Sequence, residues 1–161
     1  MDVSDFKTLF GDDIRAWLDW DALDDENTRV EDLVVSSRQE LGDLYTVWHV
    51  DPEGNPGEWS HPQHRPQTLA QAAEKQWPGD RQDKIEHMRQ EFAEESGPVQ
   101  LTVPAFRTEG SLVVLDSNHR LVGGYLSEAD LRVLLVVLDG PSSSLILPAT
   151  AQIENDQAGR I

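Results

Sequence analysis

The sequence predicts an α+β fold, in which a small mixed sheet carries packed helices and a polar N-terminal extension precedes the core. Apolar residues recur at helical spacing in several segments, whereas other segments are continuous runs of β-branched and aliphatic residues that are typical of strands. The two kinds of segment alternate along the second half of the chain, and no internal repeat is visible. Hydrophobic residues make up 38% of the 161 residues, which is enough for one core of modest size.

The first third of the chain is predicted to hold helices and one strand. Residues 6–10 and 14–18 both carry apolar side chains at helical spacing, and Asp12 can cap the second of these helices. The segment 19–32 is too acidic to bury much surface, so it predicts a loop or a short helix. Residues 44–50 are rich in β-branched and aromatic side chains and predict a strand.

The middle of the chain is predicted to be a loop followed by two helices. Residues 51–66 contain several prolines and glycines and predict a long irregular loop. Thr68 and Gln71 have the spacing of a capping box, which predicts the start of a short helix. Asp80 can cap the next helix, whose apolar face consists of Ile85, Met88 and Phe92.

The last third of the chain holds the densest apolar stretches and predicts most of the sheet. Two strands joined by a turn form an antiparallel hairpin, a short helix follows, and a continuous apolar strand is expected to be buried on both faces. In order, these elements are a strand at 99–106, a turn at 108–111, a strand at 112–115, a helix at 121–126 and a strand at 131–138. A linker at 141–144, an edge strand at 145–147 and a frayed tail from Gln152 are expected after them.

The charge of the chain is strongly negative and unevenly distributed. Thirty acidic residues face thirteen basic ones, for a formal net charge of −17 at pH 7, and 16 of the acids but only 4 of the bases lie in residues 1–60. Nucleic-acid affinity depends on basic patches that displace counterions, so nucleic acid is excluded as the main partner, and anionic membrane surfaces are disfavoured. The gradient predicts an acidic N-terminal part at 1–60 packed on an α/β core at 61–150, with a flexible tail at 151–161.

The absence of cysteine and the hydropathy of the chain exclude some kinds of site and indicate where the protein is located. The chain contains no cysteine, which excludes disulfides, thiolate nucleophiles and cysteine-ligated zinc or iron–sulfur sites. The first ten residues have neither the basic nor the apolar segment of a secretory leader, and no apolar run reaches the length that spans a bilayer. We therefore expect a cytoplasmic protein.

One short segment combines several groups that are capable of chemistry. Between an apolar strand and a helix lie five polar residues, which we call the elbow: Asp116, Ser117, Asn118, His119 and Arg120. Ser117 or Asp116 can cap the helix, whose N–H groups and dipole would attract an anion together with the Arg120 guanidinium. Asp116 could orient a hydroxyl, accept a proton or help hold a magnesium ion. The alternative is an ordinary helix start followed by a surface His-Arg pair.

The elbow stands in a series of three segments: VPAF at 103–106, LVVLDSNHRL at 112–121 and RVLLVVLDG at 132–140. This series resembles the ParB/sulfiredoxin-like superfamily, whose elbow of the D-G-x-H-R type binds nucleotide phosphates at a helix N-terminus. The resemblance implies a ParB/sulfiredoxin-like core and a catalytic role for Asp116, as in the free amino-acid kinases of the superfamily. It also implies phosphate contacts for Ser117, Asn118, His119 and Arg120.

This sequence departs from the superfamily pattern at several points, and each departure limits which of the superfamily's functions the resemblance implies for this chain. Sulfiredoxins have a catalytic cysteine in the elbow, where this chain has Asn118, so repair of peroxiredoxins is excluded. The chromosome-partitioning branch has a more arginine-rich motif and a helix-turn-helix domain, neither of which is found in this sequence. Ser117 replaces the usual glycine. The kinases also use an acid from the N-terminal part, for which this chain offers Glu31, Glu53 and Glu58.

Histidines and tryptophans outside the elbow give weaker signals. His61 and His64 have an i,i+3 spacing that a metal site could use, but the surrounding prolines favour solvated loop residues, so we expect no metal. His49 could line the same cleft as the elbow, although a hydrogen-bonded strand histidine is the commoner case. Trp59 could cover a bound ring.

Two classes of function remain, and the sequence favours an enzyme. The first is a small enzyme acting on a small anionic or phosphorylated substrate, most concretely a phosphotransferase that uses ATP with magnesium. In it Asp116 and His119 are catalytic, and the rest of the elbow binds phosphate. A variant keeps the fold but performs acid/base chemistry in a biosynthetic pathway, a dehydration or a cyclisation, with His119 as the acid/base group. The second class is a non-enzymatic interaction or immunity protein whose acidic N-terminal part binds a basic protein. A homodimer is left open.

Overall fold

A computed structural model describes residues 1–14, 16, 18–23, 26–108, 110–140, 146–148, 152–154 and 156. These residues form a mixed α+β fold, with one seven-stranded mixed sheet and several helices packed against it. The predicted fold class is therefore confirmed. In this part of the chain no helix is both long enough and apolar enough to cross a membrane.

The helices and strands alternate along the described residues. The helices are α1 (Val3–Phe10), α2 (Arg38–Asp43), α3 (Leu69–Glu74), α4 (Asp80–Ala93) and α5 (Asn118–Ser127). The strands are β1 (Arg29–Val35), β2 (Tyr45–Val50), β3 (Pro56–Gly57), β4 (Arg65–Thr68), β5 (Val99–Thr108), β6 (Ser111–Val114) and β7 (Leu131–Asp139).

The order of strands in the sheet determines where the elbow emerges. That order is β1-β7-β5-β6-β2-β3, and β4 also pairs with β2. Strands β5 and β7 run parallel over eight residue pairs and form the centre of the sheet. Strand β6 is antiparallel to β5 and meets β2 in parallel, with Tyr45 opposite Val113. The chain that leaves β6 therefore emerges beside β2.

Each face of the sheet buries its own hydrophobic cluster. One cluster includes residues of α2, α3, α4 and α5, with Leu69, Ile85 and Leu121 fully or almost fully buried. The other includes the apolar side of α1, with Phe6 at its centre, and Ile153 from the C-terminal segment. Residues 1–60 thus contribute one helix to each face, α1 and α2, and three strands to the sheet itself, β1, β2 and β3.

Several predicted helices and strands are confirmed, since residues close together in the sequence specify them. The Thr68 hydroxyl accepts from the Gln71 N–H, and the Gln71 side chain accepts from the Thr68 N–H, so a capping box starts α3 as expected. The strand predicted at 44–50 is β2, and the hairpin predicted at 99–115 is β5 and β6. The helix predicted at 121–126 is α5, which begins earlier, at Asn118.

The acidic segment 19–32 is where the prediction was wrong, because Arg29–Val35 form strand β1. This strand pairs in antiparallel fashion with β7 along its whole length. Two of its charges form ion pairs: the Arg29 guanidinium lies 3.5 Å from the Asp139 carboxylate of the adjacent strand β7, and the Glu31 carboxylate lies 3.5 Å from the Arg107 guanidinium of β5, one strand further. The pairing partner is about one hundred residues away in the sequence, so local composition could not reveal it.

Three further expectations differ from the structure. The loop predicted at 51–66 contains β3 and the start of β4. No helix is found at the described positions of 14–18, and Trp17 lies outside the described residues. Of the edge strand expected at 145–147, Leu145 lies outside the described residues, while Ile146 and Leu147 are buried but not in a strand. The linker at 141–144 also lies outside the described residues.

Candidate functional site

The elbow turns the chain from β6 into α5 through a strained residue. Ser117 stands just before the helix with φ +66° and ψ 26°, in the left-handed region that favours glycine. This is the position at which the superfamily pattern has glycine. Among the described residues no side chain caps the start of α5, contrary to the cap expected from Ser117 or Asp116. The first N–H groups of the helix therefore have no intrahelical or capping acceptor.

Asn118 holds the start of α5 against β2. Its side chain is 4% exposed, and its Oδ1 accepts a hydrogen bond from the backbone N–H of Val47 at 3.1 Å. One polar atom of this predicted phosphate-binding residue is thus engaged by the fold.

The elbow lines a cleft of about 500 Å³, which we call the elbow cleft. Its other walls are formed by β2 and α4. The lining consists of the five elbow residues together with Val47, Trp48, Lys84 and Met88. The structure therefore brings all five sequence-predicted site residues to one cavity, with Asn118 buried and Arg120 exposed at its edge.

Basic side chains surround the elbow cleft without acidic partners. Lys84 and Arg120 line it, and the Arg81 guanidinium lies over the rings of Trp48 and Trp77, 4.6 and 4.7 Å from their centroids. In the described part of the chain none of these three cations has a carboxylate within 4.0 Å. Burial lowers the pKa of Arg81, which is the effect expected of a half-buried cation without a counter-ion.

His119 is the titratable group with the most unusual environment in this cleft. Its ring stands edge-on to Trp48, with the ring centroids 5.0 Å apart, and it is partly buried. Burial lowers the pKa of His119, and the positive charges of Lys84 and Arg81 lower it further. The imidazole is consequently neutral near pH 7 and can accept a proton.

Asp116 is the single acid among the residues that line the elbow cleft. It is partly exposed, so its carboxylate is accessible from the cleft. A carboxylate in a cleft that is otherwise basic is suited to orienting a hydroxyl or an amine of a bound molecule.

None of the three N-terminal acids considered as partners of the elbow lines this cleft. Glu31 lies on β1, at the opposite edge of the sheet from β2, and pairs with Arg107. Glu53 lies between β2 and β3, and Glu58 lies directly after β3, where its N–H donates to Nδ1 of His64. The three glutamates therefore carry the carboxylate that a kinase of the superfamily would need, but none of them lies in the elbow cleft.

A second cleft, larger at about 650 Å³, has one of the remaining histidines, His64, in its lining. It is lined by the loop after β2, the start of α3 and the C-terminal segment, including His64. The rings of His61 and His64 lie 4.5 Å apart, and among the described residues no three His, Asp or Glu side chains form a group that could hold a metal ion. His49 lines neither cleft; it is 2% exposed, and its Nδ1 lies 3.3 Å from the Val47 carbonyl.

Sequence reasoning missed the wall of the elbow cleft that α4 supplies. Arg81 and Lys84 are three residues apart and so share a face of the helix, which is a signal of a basic stripe. Nothing in the local sequence shows that this face meets the elbow, since α4 and α5 are separated by the whole β5–β6 hairpin.

The comparisons with known proteins do not extend the resemblance. The chain matches no family model, and neither curated proteins nor solved structures gave a match. The ParB/sulfiredoxin-like resemblance of the elbow and its flanking strands therefore stays a prediction.

Proposed function

We propose that this protein is an enzyme that binds a small anionic, phosphorylated substrate in the elbow cleft and moves a proton through His119. The observation that supports this most is the set of three cations, Arg81, Lys84 and Arg120, that gather around one cleft without a carboxylate partner.

The absence of carboxylate partners around this cleft is unusual for the composition. The chain has 30 acids for 13 bases, and other arginines, such as Arg29, Arg89 and Arg107, pair with acids. Cations held close together repel one another unless an anion lies between them. The uncapped N–H groups at the start of α5 add a favourable potential for the same anion.

The phosphate group is the anion that this arrangement fits best. Two flexible basic side chains and a row of backbone N–H groups can surround several oxygens at once, and phosphate recognition commonly combines these elements. Arg81 lies over two tryptophan rings, which hold its positive charge close enough to act on His119.

His119 and Asp116 are the groups proposed to act on the substrate. The imidazole of His119 can exchange a proton with a substrate oxygen, and Asp116 lines the same cleft and can orient a hydroxyl or accept its proton. The superfamily resemblance makes a phosphotransferase using ATP with magnesium the most concrete form. A dehydration or cyclisation would use the same two residues as acid and base.

Calorimetric titration with ATP, ADP, CTP and inorganic phosphate, each with magnesium, tests the proposal. We expect binding of at least one of them, weakened about tenfold or more in Lys84→Met and Arg120→Met, because each variant removes a charge-assisted contact. Lys7→Met is the matched control: it removes one positive charge from α1, on the opposite face of the sheet, and should change affinity by less than about twofold.

Failure of all four ligands to bind at millimolar concentration would overturn the proposal. The interaction-protein alternative makes a different prediction. In that case Asp→Asn and Glu→Gln changes within 19–32 would abolish binding of a basic protein, while Arg120→Ala would have no effect.

A further inference from the structure

We propose that a dianion entering the elbow cleft is accompanied by the uptake of one proton at His119, so that the empty site holds a base and the occupied site holds an acid. The inference rests on the proposed function, which supplies the anion. It adds that occupancy and protonation of the site are linked.

The groups around His119 make its charge depend on what the cleft contains. Helix α4 presents Arg81 and Lys84, and the elbow itself contributes Asp116 and Arg120. Strand β2 presents Trp48, which carries no charge. Helix α3, which also packs on α5, carries Glu74 in its last turn and is followed by Lys75.

In the empty cleft these surroundings disfavour a charged imidazole. The pKa of His119 is lowered first by burial and then by Lys84 and Arg81. His119 is also the second residue of α5, where the positive end of the helix dipole opposes a further positive charge. A proton on His119 would thus be the fourth positive charge around a cleft with a single lining acid.

A bound dianion reverses the sign of the local potential. Its two negative charges offset those of the neighbouring cations, and its oxygens can accept a charge-assisted hydrogen bond from a protonated ring nitrogen. Both effects favour the imidazolium. By linkage, a ligand that raises proton affinity must itself bind more tightly when the proton is present, so anion affinity should rise as the pH falls.

The linkage has a chemical consequence for the proposed reaction. When a substrate that carries a phosphate binds, His119 takes up a proton from solvent, and this proton then lies on a ring nitrogen next to the phosphate oxygens. The occupied site then contains a general acid that can protonate an oxygen leaving group, while the empty site remains uncharged at that residue.

Sulfate is the probe that separates protein protonation from ligand protonation, because it remains a dianion over the whole neutral pH range. Sulfate binding is measured by calorimetry near neutral pH in two buffers with different heats of ionisation. We expect the apparent heat to depend on the buffer in the direction of proton uptake, by up to about one proton per sulfate. The dissociation constant should rise with pH by at most about tenfold per pH unit.

Two histidine variants show which residue takes up the proton when sulfate binds. His119→Gln should still bind sulfate but with a heat that no longer depends on the buffer. His87→Gln, which alters an exposed histidine paired with Glu91 on the same helix α4, should retain the full proton uptake. In parallel, the ring-proton NMR signal of His119 should titrate at higher pH with sulfate than without it.

The outcomes distinguish this inference from the proposed function. Sulfate binding with buffer-independent heats, or proton uptake that survives His119→Gln, would overturn the linkage and leave the anion site standing. If neither sulfate nor any of the four ligands named above binds the wild-type protein, the anion site is wrong and the linkage fails with it; if one of those four binds but sulfate does not, the linkage proposed for a dianion is overturned and the proposed function stands.

Discussion

The side-chain oxygen of Asn118 accepts a hydrogen bond from the backbone N–H of Val47 at 3.1 Å, and the asparagine is almost completely buried. This contact joins the first residue of α5 to the middle of β2, next to Trp48. It sets the position of the elbow relative to the opposite wall of the cleft. An amide side chain, and not a charged one, makes the connection, so no charge is buried there.

Replacing Asn118 should destabilise the protein. Asn118→Ala leaves the Val47 N–H without its acceptor in a buried position, so we expect the free energy of unfolding to fall by about 1–3 kcal/mol. Urea denaturation measures this. Gln63→Ala, which truncates an exposed amide, should change stability by less than about 0.5 kcal/mol. Equal stability of the two variants would show that the contact contributes little.

Gly123 permits the close approach of α5 to α4. A Cβ atom at this position would lie 2.6 Å from Cβ of Met88 and 2.8 Å from the backbone oxygen of Ile85. Because backbone atoms cannot yield locally, Gly123→Ala should lower the free energy of unfolding by about 1–3 kcal/mol and displace Lys84 from the elbow. Gly97→Ala is the control, since a Cβ there meets nothing within 4 Å. Chemical denaturation of both variants decides the matter; a Gly123→Ala protein as stable as wild type would contradict the packing.

Ser117 and Glu128 are the two non-glycine residues with positive φ in the described chain. They stand at opposite ends of α5, with φ of +66° and +60°. Glycine relieves the steric cost of this conformation, partly offset by its greater freedom in the unfolded state. We expect Ser117→Gly and Glu128→Gly each to raise the free energy of unfolding by up to about 1 kcal/mol, measured by thermal and urea denaturation. If either change destabilised the protein, the native side chain at that position would have to stabilise the fold by more than the positive φ costs.

The buried His49 should make the protein less stable in mild acid. Burial lowers the pKa of His49 below its usual 6.5, so the folded state resists a proton that the unfolded state accepts. As the pH falls through about 6.5, the unfolded state gains protons that the native state does not, and the free energy of unfolding decreases toward pH 5. At higher pH both states are neutral at His49 and the effect vanishes.

The slope of stability against pH provides the measurement for His49. The free energy of unfolding is compared at several pH values from about 7.5 to 5 in wild type and His49→Phe, because the slope is informative even if the variant is less stable overall. The variant should show a shallower decrease. His119 contributes in the same direction, since its pKa is also lowered, so His119→Gln is measured alongside. An unchanged slope in His49→Phe would exclude the buried histidine as the cause.

Helices and strands that are specified by residues close together in the sequence could be predicted from it. Thr68 and Gln71 define the start of α3 because each side chain bonds the other's backbone N–H three residues away. The run 44–50 predicts β2 because β-branched and aromatic side chains suit a strand with both faces covered. Strand β1 was missed because Glu31 and Asp32 follow a strongly acidic stretch, and the Arg107 of β5 that pairs with Glu31 is far away in the sequence.

The sequence by itself determined that five polar residues, 116–120, follow one another at the point where a strand is succeeded by a helix, in an acidic, cysteine-free chain. Contiguity in the chain keeps these residues near one another, but it does not decide which of their side chains face one cavity. Only the tertiary structure decided what faces them. Lys84, Arg81 and Trp48 reach the elbow because β6 lies beside β2 and α4 packs closely on α5. The protonation of His119 follows from those neighbours, since a pKa depends on charges and burial in space and not on position along the chain.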